Sequence, residues 1–178
     1  TLNQTKLNDY NRIYYDSIYS SKSGNLIISL EKINFLIKKF PKNFFFLETK
    51  GDILRSHGYL NESVKFYKIV LNKFPDNYYI KYKIFLDTNT KIMQSNDKIN
   101  FFYENLNLII KFPKNKYIIN KFIKITKDLE KIYWLNFFNI INDTSNKDME
   151  ELHKKLNKLS EETNEIKLKK IINEYNKL

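Results

Sequence analysis

Few residues in this chain of 178 could do chemistry, and their spacing argues against catalysis. Cysteine is absent, which removes thiol nucleophiles, CxxC redox pairs, disulfides and Cys-ligated zinc or iron–sulfur sites. The two histidines, His57 and His153, are far apart, and neither belongs to an HExxH pair, so no zinc site is built locally. His57 stands just before Gly58 and reads as a helix-capping residue. His153, among Glu150, Glu151, Lys154 and Lys155, reads as a surface residue. Glu48 and Asp52 are one helical turn apart, with Arg55 three positions on. That spacing suits a salt-bridged helix surface, worth about 0.2–0.5 kcal/mol per pair. Paired carboxylates doing acid–base work would need a pocket or a base partner, and the sequence supplies neither. With three glycines there is no GxGxxG, Walker A or GxSxG loop. No nucleophile–base set, metal cluster or phosphate loop can be assembled, so an enzyme is the poorest reading.

The formal net charge of +11 invites a nucleic-acid reading. Yet only Arg12 and Arg55 are arginine, and alanine does not occur. Lys, Asn, Ile, Tyr and Phe dominate, as an AT-rich genome would write at tolerant positions. A chain shaped to grip phosphate or guanine would keep more arginine for its bidentate fork. A solvated lysine surface that steers acidic partners weakly is the better reading. No apolar run exceeds five residues, so no bilayer span is expected, and no signal-peptide pattern is read. Thr1 in place of Met suggests a processed product or an excised segment.

The elements that must position these residues are set by punctuation. All three prolines lie in one tetrapeptide, Phe40-Pro41-Lys42-Asn43, Phe74-Pro75-Asp76-Asn77 and Phe112-Pro113-Lys114-Asn115. The first two are 34 apart and the next two 38 apart, which is one period plus a four-residue insertion expected between Asp87 and Asp97. A period of about 34 resembles the tetratricopeptide (TPR) repeat, a helix–turn–helix unit. In that frame Gly51 takes the close-contact position of the first helix, while Gly24 and Gly58 take the turn that needs positive φ. Ser29 and Ser63 take the small position of the second helix. Val64, Tyr67, Leu71 and Phe74 form one helical stripe, and Ile27, Leu30, Ile33, Phe35, Leu36, Ile37 and Phe40 another.

The fold expected is therefore all-α: a TPR-like right-handed α-solenoid of about four helix pairs with C-terminal capping helices. Repeats cover about 10–43, 44–77, 78–115 and 116–142, and capping helices 146–178, in a single domain with a joint at 87–97. Helices are predicted at 8–21, 25–40, 44–57, 60–73, 78–88, 97–111, 116–127, 129–141, 146–159 and 163–177. The fourth pair has lost both glycine and proline. The polar run 142–146 is expected to cap the next helix, and the charged last helices to form a cap with one wet face. Trp134, inside Ile132-Tyr133-Trp134-Leu135-Asn136-Phe137-Phe138, is expected in the core.

Asn43-Phe44-Phe45-Phe46-Leu47-Glu48-Thr49-Lys50-Gly51-Asp52-Ile53-Leu54 resembles the N-P-Y-F-x-E-L-K-G-x-I-L signature of the C-terminal TPR domain of BepA-type bacterial zinc metalloproteases. Phe44 replaces its proline and Thr49 a leucine, and the Trp-Arg-Gln of the fourth repeat is missing near Asn120-Lys121-Phe122. The resemblance implies a periplasmic or cell-envelope setting and a role in outer-membrane protein quality control. It also implies partners in the protease domain and the outer-membrane assembly machinery. Zinc is implied only for that protease domain, so no cofactor is expected in this segment.

A TPR groove is lined by first-helix residues. The frame selects Tyr14 and Ile18; Phe45, Glu48, Asp52 and Arg55; Tyr79, Tyr82 and Leu86; and Tyr117, Asn120, Lys124 and Lys127. Aromatics with a few charges suit peptide contact, although with 14 Phe and 13 Tyr many must be core. The residues at the clamp position, Tyr14, Glu48, Tyr82 and Asn120, do not form the Lys/Asn set that holds a C-terminal carboxylate. The leading expectation is a noncatalytic protein-interaction module attached to an envelope metalloprotease. A stand-alone TPR scaffold in another assembly comes second, and a basic helical-repeat nucleic-acid binder third.

Overall fold

The computed structural model describes the backbone of residues 2–143 and 149–178, with side chains from residue 8 onward. All regular structure among them is helical: α1 (Leu2–Lys22), α2 (Leu26–Lys39), α3 (Phe44–Ser56), α4 (Leu60–Lys73), α5 (Tyr78–Asp87), α6 (Ser95–Asn105), α7 (Asn107–Lys111), α8 (Lys116–Asp128), α9 (Ile132–Asp143), α10 (Met149–Glu162) and α11 (Ile166–Tyr175). No described helix is long and apolar enough to cross a membrane.

The punctuation works through backbone hydrogen bonds. Gly24 and Gly58 sit at φ 82° and 84°. The next N–H closes back on the helix, Asn25 to the Ser20 carbonyl at 2.8 Å and Tyr59 to that of Leu54 at 2.9 Å, which satisfies carbonyls the helix end leaves free. Glu130 holds the same place in the fourth hairpin at φ 53°, with Lys131 donating to the Thr126 carbonyl at 3.0 Å. The turn keeps its geometry without its glycine. It occupies 129–131, so α9 begins later than the predicted 129.

The Phe-Pro-x-Asn tetrapeptide also repeats as structure. Phe40, Phe74 and Phe112 share φ between −135° and −127° and end their helices. The asparagine side chain then caps the next helix, Asn43 accepting from Phe45 N at 3.1 Å, Asn77 from Ile80 N at 3.1 Å and Asn115 from Tyr117 N at 3.1 Å. The sequence reading took only the proline from this motif; the asparagine is its other half.

The four-residue insertion lies between α5 and α6, where the chain makes a 3-10 turn at Thr90–Ile92. The predicted helix 97–111 is interrupted at Leu106, which keeps helical angles while Asn105 Nδ2 donates to the Phe101 carbonyl at 2.7 Å. In the run 142–146, Asn142 and Asp143 belong to α9, and 144–146 lie outside the described residues.

The chain divides into two compact units, up to Thr88 and from Asn89 onward. The division falls in the expected joint, so α5 belongs to the first unit and α6 and α7 to the second. In the first, α1 pairs with α2, α3 with α4, and α5 packs on α4. Ile33, Leu36 and Ile53 form one core cluster, and Tyr67, Val70, Ile80 and Ile84 another. Ser29 and Ser63 are fully buried, as small residues at a close helix contact should be. The predicted stripe of α2 was too wide: Ile27 and Phe35 are exposed, because at 100° per residue they fall off the face of Ile33 and Leu36.

In the second unit α8 pairs with α9, α9 with α10, and α10 with α11. Phe102, Phe122, Trp134, Phe137 and Phe138 are fully buried, with Phe122 and Phe138 stacked at 4.8 Å. Trp134 Nε1 donates to the Glu165 carboxylate. In an open stack each repeat touches only its neighbours. Here α11 reaches back to α7, and Tyr175 donates its hydroxyl to the Pro113 carbonyl at 3.2 Å. The surface reading of His153 is corrected: it is half-buried beside the Leu152 and Leu156 face of α10, and its Nε2 is buried with no partner among the described residues.

Candidate functional site

The first unit brings most of the sequence-selected residues together on α1, α3 and α5. The helix starts of α3 and α5 are fixed by the Asn43 and Asn77 caps, which set the phase of each exposed face. Tyr14 is half-buried, and its ring lies 5.4 Å from that of Phe45, which is itself 52% exposed. Tyr79 is 56% exposed and stacks on Tyr82 at 6.1 Å. Ile18 and Leu86 are half-buried.

Between the aromatic pairs lies a charge cluster centred on Lys83, which sequence reasoning missed. Lys83 is 4% exposed and donates to Asp52 Oδ1 at 2.6 Å, Asp52 Oδ2 at 2.9 Å and Glu48 Oε1 at 3.0 Å. Its ammonium also lies 4.6 Å from the Tyr79 ring centroid and 5.3 Å from that of Tyr67. Tyr67 donates its hydroxyl to Asp52 Oδ1 at 2.7 Å. A second pair runs parallel: Arg55 Nε lies 2.8 Å from both oxygens of Asp87, whose Oδ2 also accepts from Ser63 Oγ at 3.3 Å.

The ion pairs therefore do not run along α3 as the spacing of Glu48, Asp52 and Arg55 suggested. They run across to α5, because the partners on α5 are buried and need the charge more than solvated neighbours do. The signal lay in the sequence as opposite charges about one repeat apart, Lys83 being 31 residues from Asp52 and Asp87 32 from Arg55. Burial by itself would lower the Lys83 pKa, but the hydrogen bonds and charges of Asp52 and Glu48 outweigh it and hold the ammonium above its ordinary value. Arg55 behaves in the same way, desolvation being overcome by the bond to Asp87 and its charge. The Tyr67 hydroxyl is pushed up by burial first, then by its bond to Asp52. None of these shifts produces a base or nucleophile at neutral pH; each strengthens the group's resting form.

Gly51, on the buried side of α3, lets α4 approach. A Cβ there would stand 2.5 Å from Tyr67 Cε1. The glycine thus places the ring that supports Asp52. His57 closes α3, with Nε2 3.2 Å from Ser21 Oγ on α1.

Tyr117, Asn120, Lys124 and Lys127 lie on α8, in the second unit, and all four are exposed, Tyr117 at 74%. Among the described residues no three His, Asp or Glu side chains converge as a metal site requires. The chain matches no family model, no curated protein and no solved structure.

Proposed function

We propose that the chain is a noncatalytic protein-interaction module of the TPR kind that recognises a peptide segment across α3 and α5. The observation that carries this reading is the pairing of exposed aromatic rings, Phe45 and Tyr79, with a charge cluster whose members already satisfy one another. Such a face is rigid, and rigid aromatics give contact area at low entropic cost. The repeated glycine turn and Phe-Pro-x-Asn cap support the TPR assignment. The likeness of residues 43–54 to the envelope-protease signature supports a periplasmic accessory role beside a zinc protease domain and the outer-membrane assembly machinery. A stand-alone scaffold in another assembly uses the same face. The test is recovery of partners by the wild-type chain and by a Tyr79→Ala/Tyr82→Ala variant. Loss of partners from the variant supports the reading, and unchanged recovery removes the α3–α5 face from it.

A second reading is favoured by α8 alone, where Lys124 and Lys127 are exposed beside Tyr117 and without an ion pair among the described residues. Nucleic-acid binding through that face predicts a steep fall of duplex affinity with salt. Undetectable duplex binding at low salt eliminates it.

A further inference from the structure

A cleft of about 910 Å³ opens in the first unit between its two Phe-Pro-x-Asn turns, beside the α3–α5 face and sharing Phe45 and Glu48 with it. Its wall is aromatic: Phe40, Phe44, Phe45 and Phe74 all contribute. Phe44 and Phe74 meet edge to face at 5.6 Å, which holds both rings in place. Phe45 and Phe74 nevertheless remain 52% and 48% exposed.

The polar groups around these rings are not equivalent. Asn43 and Asn77 have spent their side-chain oxygens on helix caps, and Glu48 accepts from Lys83. Lys39 and Lys42 line the same cleft, are exposed, and have no ion pair among the described residues. Lys83 is shared with Asp52 and leaves one negative charge over on that pair, so the two lysines leave the cleft with a small net positive charge, set against an apolar wall. The volume is at the upper end of the roughly 300–1,000 Å³ typical of ligand sites, and the cleft is open to solvent, which suits several side chains of a segment better than one enclosed small molecule.

We propose that this cleft seats a protein segment in which bulky apolar side chains stand next to carboxylates, the apolar groups against the phenylalanines and the acids at Lys39 and Lys42. The proposal rests on the reading of the chain as a peptide-binding module and adds to it an adjoining site that shares Phe45 and Glu48 with the α3–α5 face. Such a segment gains contact area from the rings and orientation from the lysines, and a basic segment is repelled.

The probe is a phage-displayed library of random 12-residue peptides selected on the full 178-residue chain. Enriched peptides are then measured by fluorescence anisotropy against wild type, Lys39→Glu/Lys42→Glu, Phe45→Ser and Tyr79→Ala/Tyr82→Ala. The lysine variant is the main arm, because exposed lysines without partners can be reversed while circular dichroism verifies the fold. The expected result is a class of acidic, Phe- or Leu-containing peptides whose affinity falls roughly tenfold or more in the lysine variant, a loss of about 1.4 kcal/mol. The same class weakens in Phe45→Ser and is unchanged in the tyrosine variant. If every enriched peptide follows the tyrosine variant and ignores the lysines, the cleft proposal falls and the module reading stands. If peptides seat in the cleft with no preference for acids, the assigned occupant is wrong. If no peptide is enriched at all, both fall together.

Discussion

Replacing Gly51 with alanine should destabilise the first unit, against the usual direction of a Gly→Ala change inside a helix. On an exposed helix the substitution gains about 0.8–1.0 kcal/mol. At position 51 the new methyl would lie 2.5 Å from Tyr67 Cε1, 2.8 Å from Cδ1 and 3.1 Å from Cζ. The ring cannot simply turn aside: it is fully buried, and its hydroxyl is held by Asp52 at 2.7 Å. Overpacking of this kind costs about 1–3 kcal/mol, and loss of a hydrogen bond to a charged group adds about 1.5–3 kcal/mol. Subtracting the propensity gain leaves a net loss of roughly 0–2 kcal/mol if the hydroxyl bond survives and about 2–5 kcal/mol if it is lost. Urea unfolding followed by circular dichroism reads the loss, and hydrogen exchange of α3 and α4 amides assigns it to this contact. Tyr67→Val supplies the decisive control, since it removes every atom in the clash. In that background Gly51→Ala should turn stabilising by up to about 1 kcal/mol. A Gly51→Ala change that stabilises the wild-type chain as much as it stabilises the Tyr67→Val background would refute the idea that this glycine exists to admit the tyrosine.

Lys83→Met should cost about 1–2 kcal/mol in the same assay; that is below the 3–5 kcal/mol of a fully enclosed pair because Asp52 and Glu48 keep part of their solvation. Stability should also fall in alkali. Lys83 and Tyr67 both titrate higher in the folded chain than unfolded, so their contribution is complete below about pH 10 and is lost as pH rises through the folded-state values. Urea midpoints measured between about pH 8 and pH 11.5 should drop at the upper end, and less steeply in a Lys83→Met/Tyr67→Phe variant. Glu130→Gly should stabilise the fourth hairpin by about 0.5–1 kcal/mol, the relief of a left-handed side chain less the entropy glycine loses on folding. A lower urea midpoint for that variant would show that Glu130 is not strained where it stands.

The hairpins were legible because proline, asparagine and glycine act on their own backbone, within a few residues of where they stand. Gly24, Gly58 and the three Phe-Pro-x-Asn turns sit at their predicted places for that reason. The four-residue insertion was legible in the same way, as a change in spacing. Glu130 was not, because nothing local distinguishes it from any exposed glutamate; its positive φ comes from the hairpin that closes around it. Lys83 and Asp87 were missed for a related reason. Read alone, each is an ordinary charged residue on a short helix, and burial becomes apparent only when α5 is laid against α3 and α4. Likewise α11 was legible as a helix with one wet face, but not where its other face goes: Leu168, Ile171, Ile172 and Tyr175 are all buried as it folds back on α7. Backbone punctuation can be read from one strip of sequence; side-chain partnership needs two.

The lysine shared between Asp52 and Glu48 bears on how such a chain can change over generations. Its turns are self-contained, held by main-chain bonds and by asparagine caps that lie within a few residues of the groups they satisfy, so a hairpin could be duplicated or exchanged together with them. The seam between α3 and α5 is keyed, with lock and key carried on different copies of the unit. A transplanted hairpin would bring one half only, and would sit against its new neighbour with a carboxylate or an ammonium stranded. Inheritance at this seam should therefore proceed by pairs.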